Sequence, residues 1–163
     1  METFRHTIEV RWADCDANHH ARHSAYADFC THVRVEWLRV HGFGFDQFQT
    51  LAFGPVIFQE STEYLKEVRM NERIQITVRT AALSADGSRY RIRHDVFKED
   101  GRLAARHEIS GAWMDLRARK LIPPPAALAA IFDTLERTED YQGLAQQACR
   151  TDQAPERAAT GAT

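Results

Sequence analysis

Five side chains able to move protons or hold a metal fall within ten positions, Asp14, Asp16, His19, His20 and His23, in the stretch ADCDANHHARHS. They stand where an alternating strand gives way to a long helix. A helix start offers unpaired backbone N–H groups and the positive end of the dipole, so a carboxylate there stays ionised and a developing oxyanion can be held. The same pattern also suits a plain cap, with Asp14 or Asp16 accepting backbone N–H bonds and the histidines solvated. A metal is a third reading, because His19 and His23 are four apart and two aspartates are near. A helix that begins near His23 or Ser24 scatters those imidazoles, and neither an HExxH motif nor a Cys pair accompanies them, so no metal is assigned.

The flanking elements must position this cluster. Upstream, Phe4, His6, Ile8, Val10 and Trp12 alternate with Arg5, Thr7, Glu9 and Arg11, the period of a half-buried strand. Downstream, Tyr26, Phe29, Cys30, Val33, Trp37 and Val40 form one helical stripe and Val35 and Leu38 a second, so the helix is expected to be mostly enclosed. Gly42 is a natural stop. HGFGFDQFQTLAFGP then reads as an aromatic-rich loop, its phenylalanines from Phe43 to Phe58 covering a core edge or lining an apolar pocket.

Val56–Lys66 alternates as a strand with polar groups on both faces, which suggests an end near a site or an interface. Ile74, Ile76 and Val78 mark the next strand, and Asp86-Gly87 and Asp100-Gly101 separate Tyr90–Val96 and Leu103–Leu116 as hairpin turns. Pro123, Pro124 and Pro125 end the last strand and start a terminal helix running to about Glu136. The expectation is an α+β architecture: one long helix against an antiparallel sheet of about five strands, with a short C-terminal helix. Residues 1–141 suit a single domain, and the Ala, Gln, Thr and Glu content of 142–163 suits a frayed tail.

Twenty-one basic and 23 acidic side chains leave a formal charge of -2, which carries no footprint for nucleic acid or an anionic membrane. Three cysteines without CxxC spacing point to reduced thiols and a cytoplasmic setting. The N-terminus lacks the apolar run of an export signal, and no segment approaches the roughly 20 apolar residues of a membrane span.

The segment DCDANHHARHSAY, followed by a helix containing VEWL, resembles the signature of hotdog-fold acyl-CoA thioesterases of the 4-hydroxybenzoyl-CoA thioesterase type, including the Tol–Pal-associated branch. The likeness is without gaps over residues 8–40, and Tyr64-Leu65-Lys66 is similar to the family's second strand. The resemblance implies a hotdog fold and hydrolysis of an acyl-CoA thioester at a site between two subunits, with no cofactor. It makes Asp16 the catalytic carboxylate, as base or nucleophile, and the backbone N–H of His23 the donor to the thioester carbonyl. His19, His20 and Tyr26 match substrate-side positions. His19 stands where the family usually has Gly, a residue that permits positive φ and close backbone approach. Homodimers or homotetramers are the implied assemblies.

Two other readings stay open. Asp16, Ala17 and Asn18 imitate the start of the Asp-x-Asn-Pro-x-His signature of hotdog enoyl-CoA hydratases, but the Pro is missing and the His falls one residue early. A non-catalytic acyl-CoA-binding module is the reading from another class. For coenzyme A phosphates the candidates are Lys66, Arg69 and the row Arg89, Arg91 and Arg93; that row equally suits a solvated face paired with acids.

Overall fold

The computed structural model describes residues 3–144. Strand β1 (Phe4–Glu9) leads through a 3-10 turn (Trp12–Asp14) into helix α1 (His23–Val40), and a short α2 (Phe45–Leu51) precedes β2 (Phe53–Tyr64). β3 (Arg73–Ser84), β4 (Arg89–Lys98) and β5 (Leu103–Asp115) follow, then β6 (Lys120–Leu121), α3 (Ala126–Thr134) and β7 (Arg137–Leu144). The main sheet runs β1-β3-β4-β5-β2 with every neighbour antiparallel. β6 adds to β5, and β7 lies parallel to β3 beyond the end of β1.

Local chemistry accounts for the framework. Gly87 and Gly101 hold φ of +69° and +81° at the two Asp-Gly turns, which an L side chain would resist. At the end of α1, Gly42 (φ +86°) donates to Arg39 O at 3.0 Å and Phe43 to Leu38 O at 2.9 Å, the paired bonds of a Schellman stop. The α1 face buried against the curled sheet carries Ala25, Tyr26, Phe29, Cys30, Val33, Trp37 and Leu38. Trp37 meets Phe132 of α3 edge-on at 4.9 Å, and Tyr90, Trp113 and Phe53 continue that aromatic cluster. This anchors the far end of α1, so its N-terminus is held in a fixed place over the sheet.

The structure departs from the sequence reading in several places. Trp12 is not on the β1 face but 81% exposed, because Asp14 draws the backbone and side chain of Arg11 into a tight turn. Val35 and Val40 are exposed, so α1 has one buried face rather than two. The aromatic stretch is not a loop throughout: Phe48 packs on Phe43, Phe53 and Trp113 and supports α2, a helix too short for a clear periodic signal. Pro125 is the N-cap of α3, and the helix stops at Thr134 because Thr80 N–H takes the Glu136 carbonyl at 2.8 Å and draws the chain alongside β3. β6 and β7 raise the strand number to seven, with β7 tied down by Arg79–Glu139 and Arg93–Asp140 ion pairs. The stretch 142–163 expected to fray begins inside β7, and 145–163 lies outside the described residues.

Candidate active site

The link between β1 and α1 is built on Asp14. Its carboxylate takes the Arg11 N–H at 2.9 Å, Arg11 Nε at 3.0 Å and Nη2 at 2.9 Å, and it is 4% exposed. These bonds from Arg11 outweigh desolvation and hold the Asp14 carboxyl below the usual carboxylate range. Its carbonyl accepts the Arg22 N–H at 2.8 Å, which fixes where α1 begins.

Between Cys15 and Ala21, which bridge as a one-pair antiparallel ladder, the chain turns tightly. Asp16 N–H donates to His20 O at 2.9 Å and His19 N–H to Asp16 O at 3.0 Å. Asp16 Oδ1 accepts the Asn18 N–H at 2.8 Å; its Oδ2 has no partner among the described residues. His19 holds φ +61°, the conformation glycine adopts most easily, so the turn keeps its path with an L residue in place. Ala21 N–H bonds Val68 O at 2.7 Å and His20 pairs with Arg69 in the backbone. These contacts fasten the turn to the connection between β2 and β3.

Asp16, His20, Ala21, His23, Tyr26, Tyr64, Leu65, Lys66 and Glu67 consequently line one cleft of about 360 Å³. Of the five residues expected at a site, four share this cleft. His19 does not line it; its side chain is exposed and its contribution is the backbone turn. His20 Nε2 lies 3.0 Å from Glu67 Oε2, an ion pair when the ring is protonated. Tyr26 is 3% exposed, packs edge-on to Tyr64 at 5.2 Å, and has its hydroxyl pushed up to about 12 by burial. The Tyr64 hydroxyl donates to the His23 carbonyl at 3.2 Å, tying β2 to the first turn of α1.

α1 has Arg22 at its N-cap and no side-chain cap bond, since Asp14 serves Arg11 and Asp16 serves Asn18. Among the described residues the N–H groups of His23 and Ser24 have no acceptor. The helix start is therefore open beside an exposed carboxylate, the arrangement suited to holding a developing oxyanion next to a base or nucleophile. A larger cavity of about 860 Å³ lies at the opposite end of α1, among Thr3, Phe4, Trp37, His41 and Asp133, and has no such helix start.

Glu67 and Tyr64 enter the site by tertiary contact alone. Alternation of β2 placed Tyr64 on a face, but nothing in the spacing signalled that Glu67 would meet His20. Arg91 and Arg93 are paired with Glu108, and Arg93 also with Asp140, while Arg89 lies over the Phe58 ring at 5.7 Å. Arg69 is paired with Glu67. Lys66 carries no ion pair among the described residues and stands on the rim of the cleft.

The model of the thioesterase-like superfamily matches residues 10–132, and the chain belongs to that family. No curated protein matches the sequence. Among solved structures, it is similar to a hypothetical protein of Staphylococcus aureus in complex with CoA: TM-score 0.76, 22% identity, 84% of this chain and 87% of the other covered. It is also similar to a 1,4-dihydroxy-2-naphthoyl-CoA thioesterase from Synechocystis, with TM-score 0.74, 17% identity and coverage of 81% and 96%. A DHNA-CoA thioesterase from Staphylococcus aureus follows at TM-score 0.73 and 18% identity, with coverage of 82% and 91%. The architecture they share with this chain is the hotdog fold, a long helix enclosed by a curled antiparallel sheet. No helix among the described residues is long and apolar enough to cross a membrane.

Proposed function

We propose that this protein hydrolyses an acyl-CoA thioester to the free acid and coenzyme A, with Asp16 as the reacting carboxylate. The observation that carries the reading is the uncapped start of α1 beside the free Oδ2 of Asp16, in a chain of the thioesterase-like superfamily. As a general base, Asp16 takes a proton from water while the water oxygen adds to the thioester carbonyl carbon. As a nucleophile, it adds directly, expels the thiolate and leaves an anhydride that water then opens. Either route places negative charge on the carbonyl oxygen, and the His23 N–H is the donor for it, an interaction worth about 3 kcal/mol in a transition state.

Tyr26 and His20 bound the acyl side of the cleft, with Glu67 orienting the His20 ring. His19 acts through the left-handed turn that presents Asp16. Lys66, without an ion pair among the described residues, stands at the rim and is the candidate for a coenzyme A phosphate. Assembly as a homodimer, or a homotetramer built from dimers, is part of the same reading. Its support is β2, a 12-residue edge strand whose outer backbone groups have no partner strand among the described residues and whose Ile57 and Phe58 side chains are exposed.

The test is a thiol-release assay across short, long and aryl acyl-CoAs, with crotonyl-CoA followed separately for loss of the enoyl absorbance. Thiol release from at least one class is expected, with crotonyl-CoA left unhydrated. Tight binding of acyl-CoA with no release from any class would replace this reading with a non-catalytic binding module.

A further inference from the structure

A second polar cluster lies under α1, deeper than the Asp16 cleft. Arg34 is half-buried between the helix and the sheet, and partial loss of solvent draws its pKa down. Among the described residues no carboxylate comes within ion-pair distance of it. Its Nη1 lies 3.1 Å from His94 Nε2 and its Nη2 donates to Thr31 Oγ1 at 3.2 Å. His94 Nδ1 faces the Thr77 carbonyl at 2.9 Å, which can only accept, so that nitrogen carries the proton and Nε2 accepts from Arg34. His94 is fully buried, and burial together with Arg34 holds it neutral. The charge on Arg34 is thus bonded but not neutralised.

Beside it stands a second buried imidazole, His107, with one nitrogen unbonded among the described residues. His107 is 1% exposed, and its ring stacks near that of His94 at 6.1 Å. His107 Nδ1 pairs with Thr62 Oγ1 at 2.8 Å, whereas the buried Nε2 has no partner among the described residues. A half-buried cation without an acid and a buried imidazole nitrogen without a partner among the described residues both carry a free-energy penalty that an incoming ligand relieves, the imidazole the larger share per group. Arginine is the side chain best shaped to take a carboxylate through two parallel bonds. Glu60, exposed on β2, is felt electrostatically at Arg34 and His107 but bonds to neither.

The cluster sits at a suitable distance from the reacting centre. Tyr64, bonded to His23, faces Ala105 across β2 and β5, and the next pair on the same face is Thr62 with His107, about 7 Å further along the strands. Arg34 is about 16 Å beyond His23 along α1, but its side chain leans back toward the helix start, as the Thr31 contact shows.

We propose that Arg34, with the free Nε2 of His107, receives a carboxylate at the far end of the acyl group, so that the favoured substrate is the coenzyme A monothioester of a dicarboxylic acid. The inference rests on the hydrolase reading of the Asp16 cleft and adds the acyl group to it.

The experiment compares matched pairs, adipoyl-CoA with hexanoyl-CoA and suberoyl-CoA with octanoyl-CoA. A hydrogen-bonded charge contact predicts that the wild-type protein favours the ω-carboxylate member of a pair by about 10- to 100-fold in kcat/KM. Arg34→Met, checked for folding by circular dichroism, should lose that preference, and Arg34→Lys should keep part of it. Glu60→Gln should widen it by removing a competing negative charge. Equal rates within each wild-type pair would overturn the proposal, as would a preference that survives in Arg34→Met. Conversion of dimer to monomer by Arg34→Met, without any acyl preference in the wild type, would also overturn it and assign Arg34 to a carboxylate of a second copy. If no acyl-CoA is hydrolysed the hydrolase reading fails by itself, and calorimetric binding of the same pairs then decides this one: tighter binding of adipoyl-CoA sustains it, equal binding ends it.

Discussion

His94 and His107 should make the protein progressively less stable between neutral and mildly acidic pH. In the folded chain both are neutral imidazoles whose pKa values are lowered, first by burial and also by the Arg34 charge. In the unfolded chain each regains an ordinary value of about 6.5. Below that value the unfolded state binds protons that the folded state refuses, so the stability is fully present above about pH 6.5 and falls with pH by up to about 1.4 kcal/mol per unit for each ring. Set against a typical domain stability of about 5–15 kcal/mol, a slope approaching that size is a measurable loss within one or two pH units. The depressed carboxylates, Asp140, Asp14 and Asp86 among them, act in a different window: their contribution is present above the ordinary carboxylate pKa and is lost only as pH falls below it. Urea unfolding at half-unit steps from about pH 8 to pH 5 measures the slope. His107→Gln should remove about half of it and His94→Gln most of the remainder. A flat profile in the wild type, or an unchanged slope in both variants, would refute the neutral buried pair.

Three other substitutions test the framework. His19→Gly relieves a left-handed φ of +61°, a cost of about 1–2 kcal/mol, against the roughly 0.4–1 kcal/mol by which glycine loosens the unfolded chain. A net gain of between about 0 and about 1.6 kcal/mol in urea unfolding is expected, and a loss would show that the imidazole itself supports the turn. Gly111→Ala would place a Cβ 2.4 Å from the Val56 carbonyl oxygen and 2.8 Å from the Tyr90 hydroxyl. Backbone of β2 must move, and a destabilisation at the upper end of the about 1–3 kcal/mol seen for overpacking is expected in thermal unfolding. Asp14→Asn weakens three bonds from Arg11 and should cost about 1–3 kcal/mol in the same measurement.

The readable parts of the fold were those set by local chemistry. The start of α1 near His23, its stop at Gly42 and both Asp-Gly turns follow from backbone preferences of single residues, and they stand where the periodicity placed them. The parts that escaped depend on contacts distant in sequence. α2 exists because Phe48 reaches Phe53 and Trp113, and β7 because Arg79 and Arg93 take up Glu139 and Asp140. At the site, spacing and the family signature singled out Asp16, His20, His23 and Tyr26, which do share a cleft. The Glu67 partner of His20 came only from the β2–β3 connection folding over the turn. The Arg34, His94 and His107 cluster was illegible for a plainer reason: each residue sits singly in an otherwise unremarkable helix or strand, and only strand register brings the two imidazoles face to face.

The most direct measurement is turnover by Asp16→Asn. Asparagine can still accept the Asn18 N–H that Asp16 Oδ1 accepts at 2.8 Å, so the turn and the urea midpoint should be kept. What is lost is the charge that activates water or attacks the carbonyl. Thiol release from the best acyl-CoA substrate should fall by about 10²- to 10⁴-fold in kcat while the protein remains folded. Turnover close to wild type in the folded variant would contradict the role given to Asp16, and with it the proposed chemistry of the cleft.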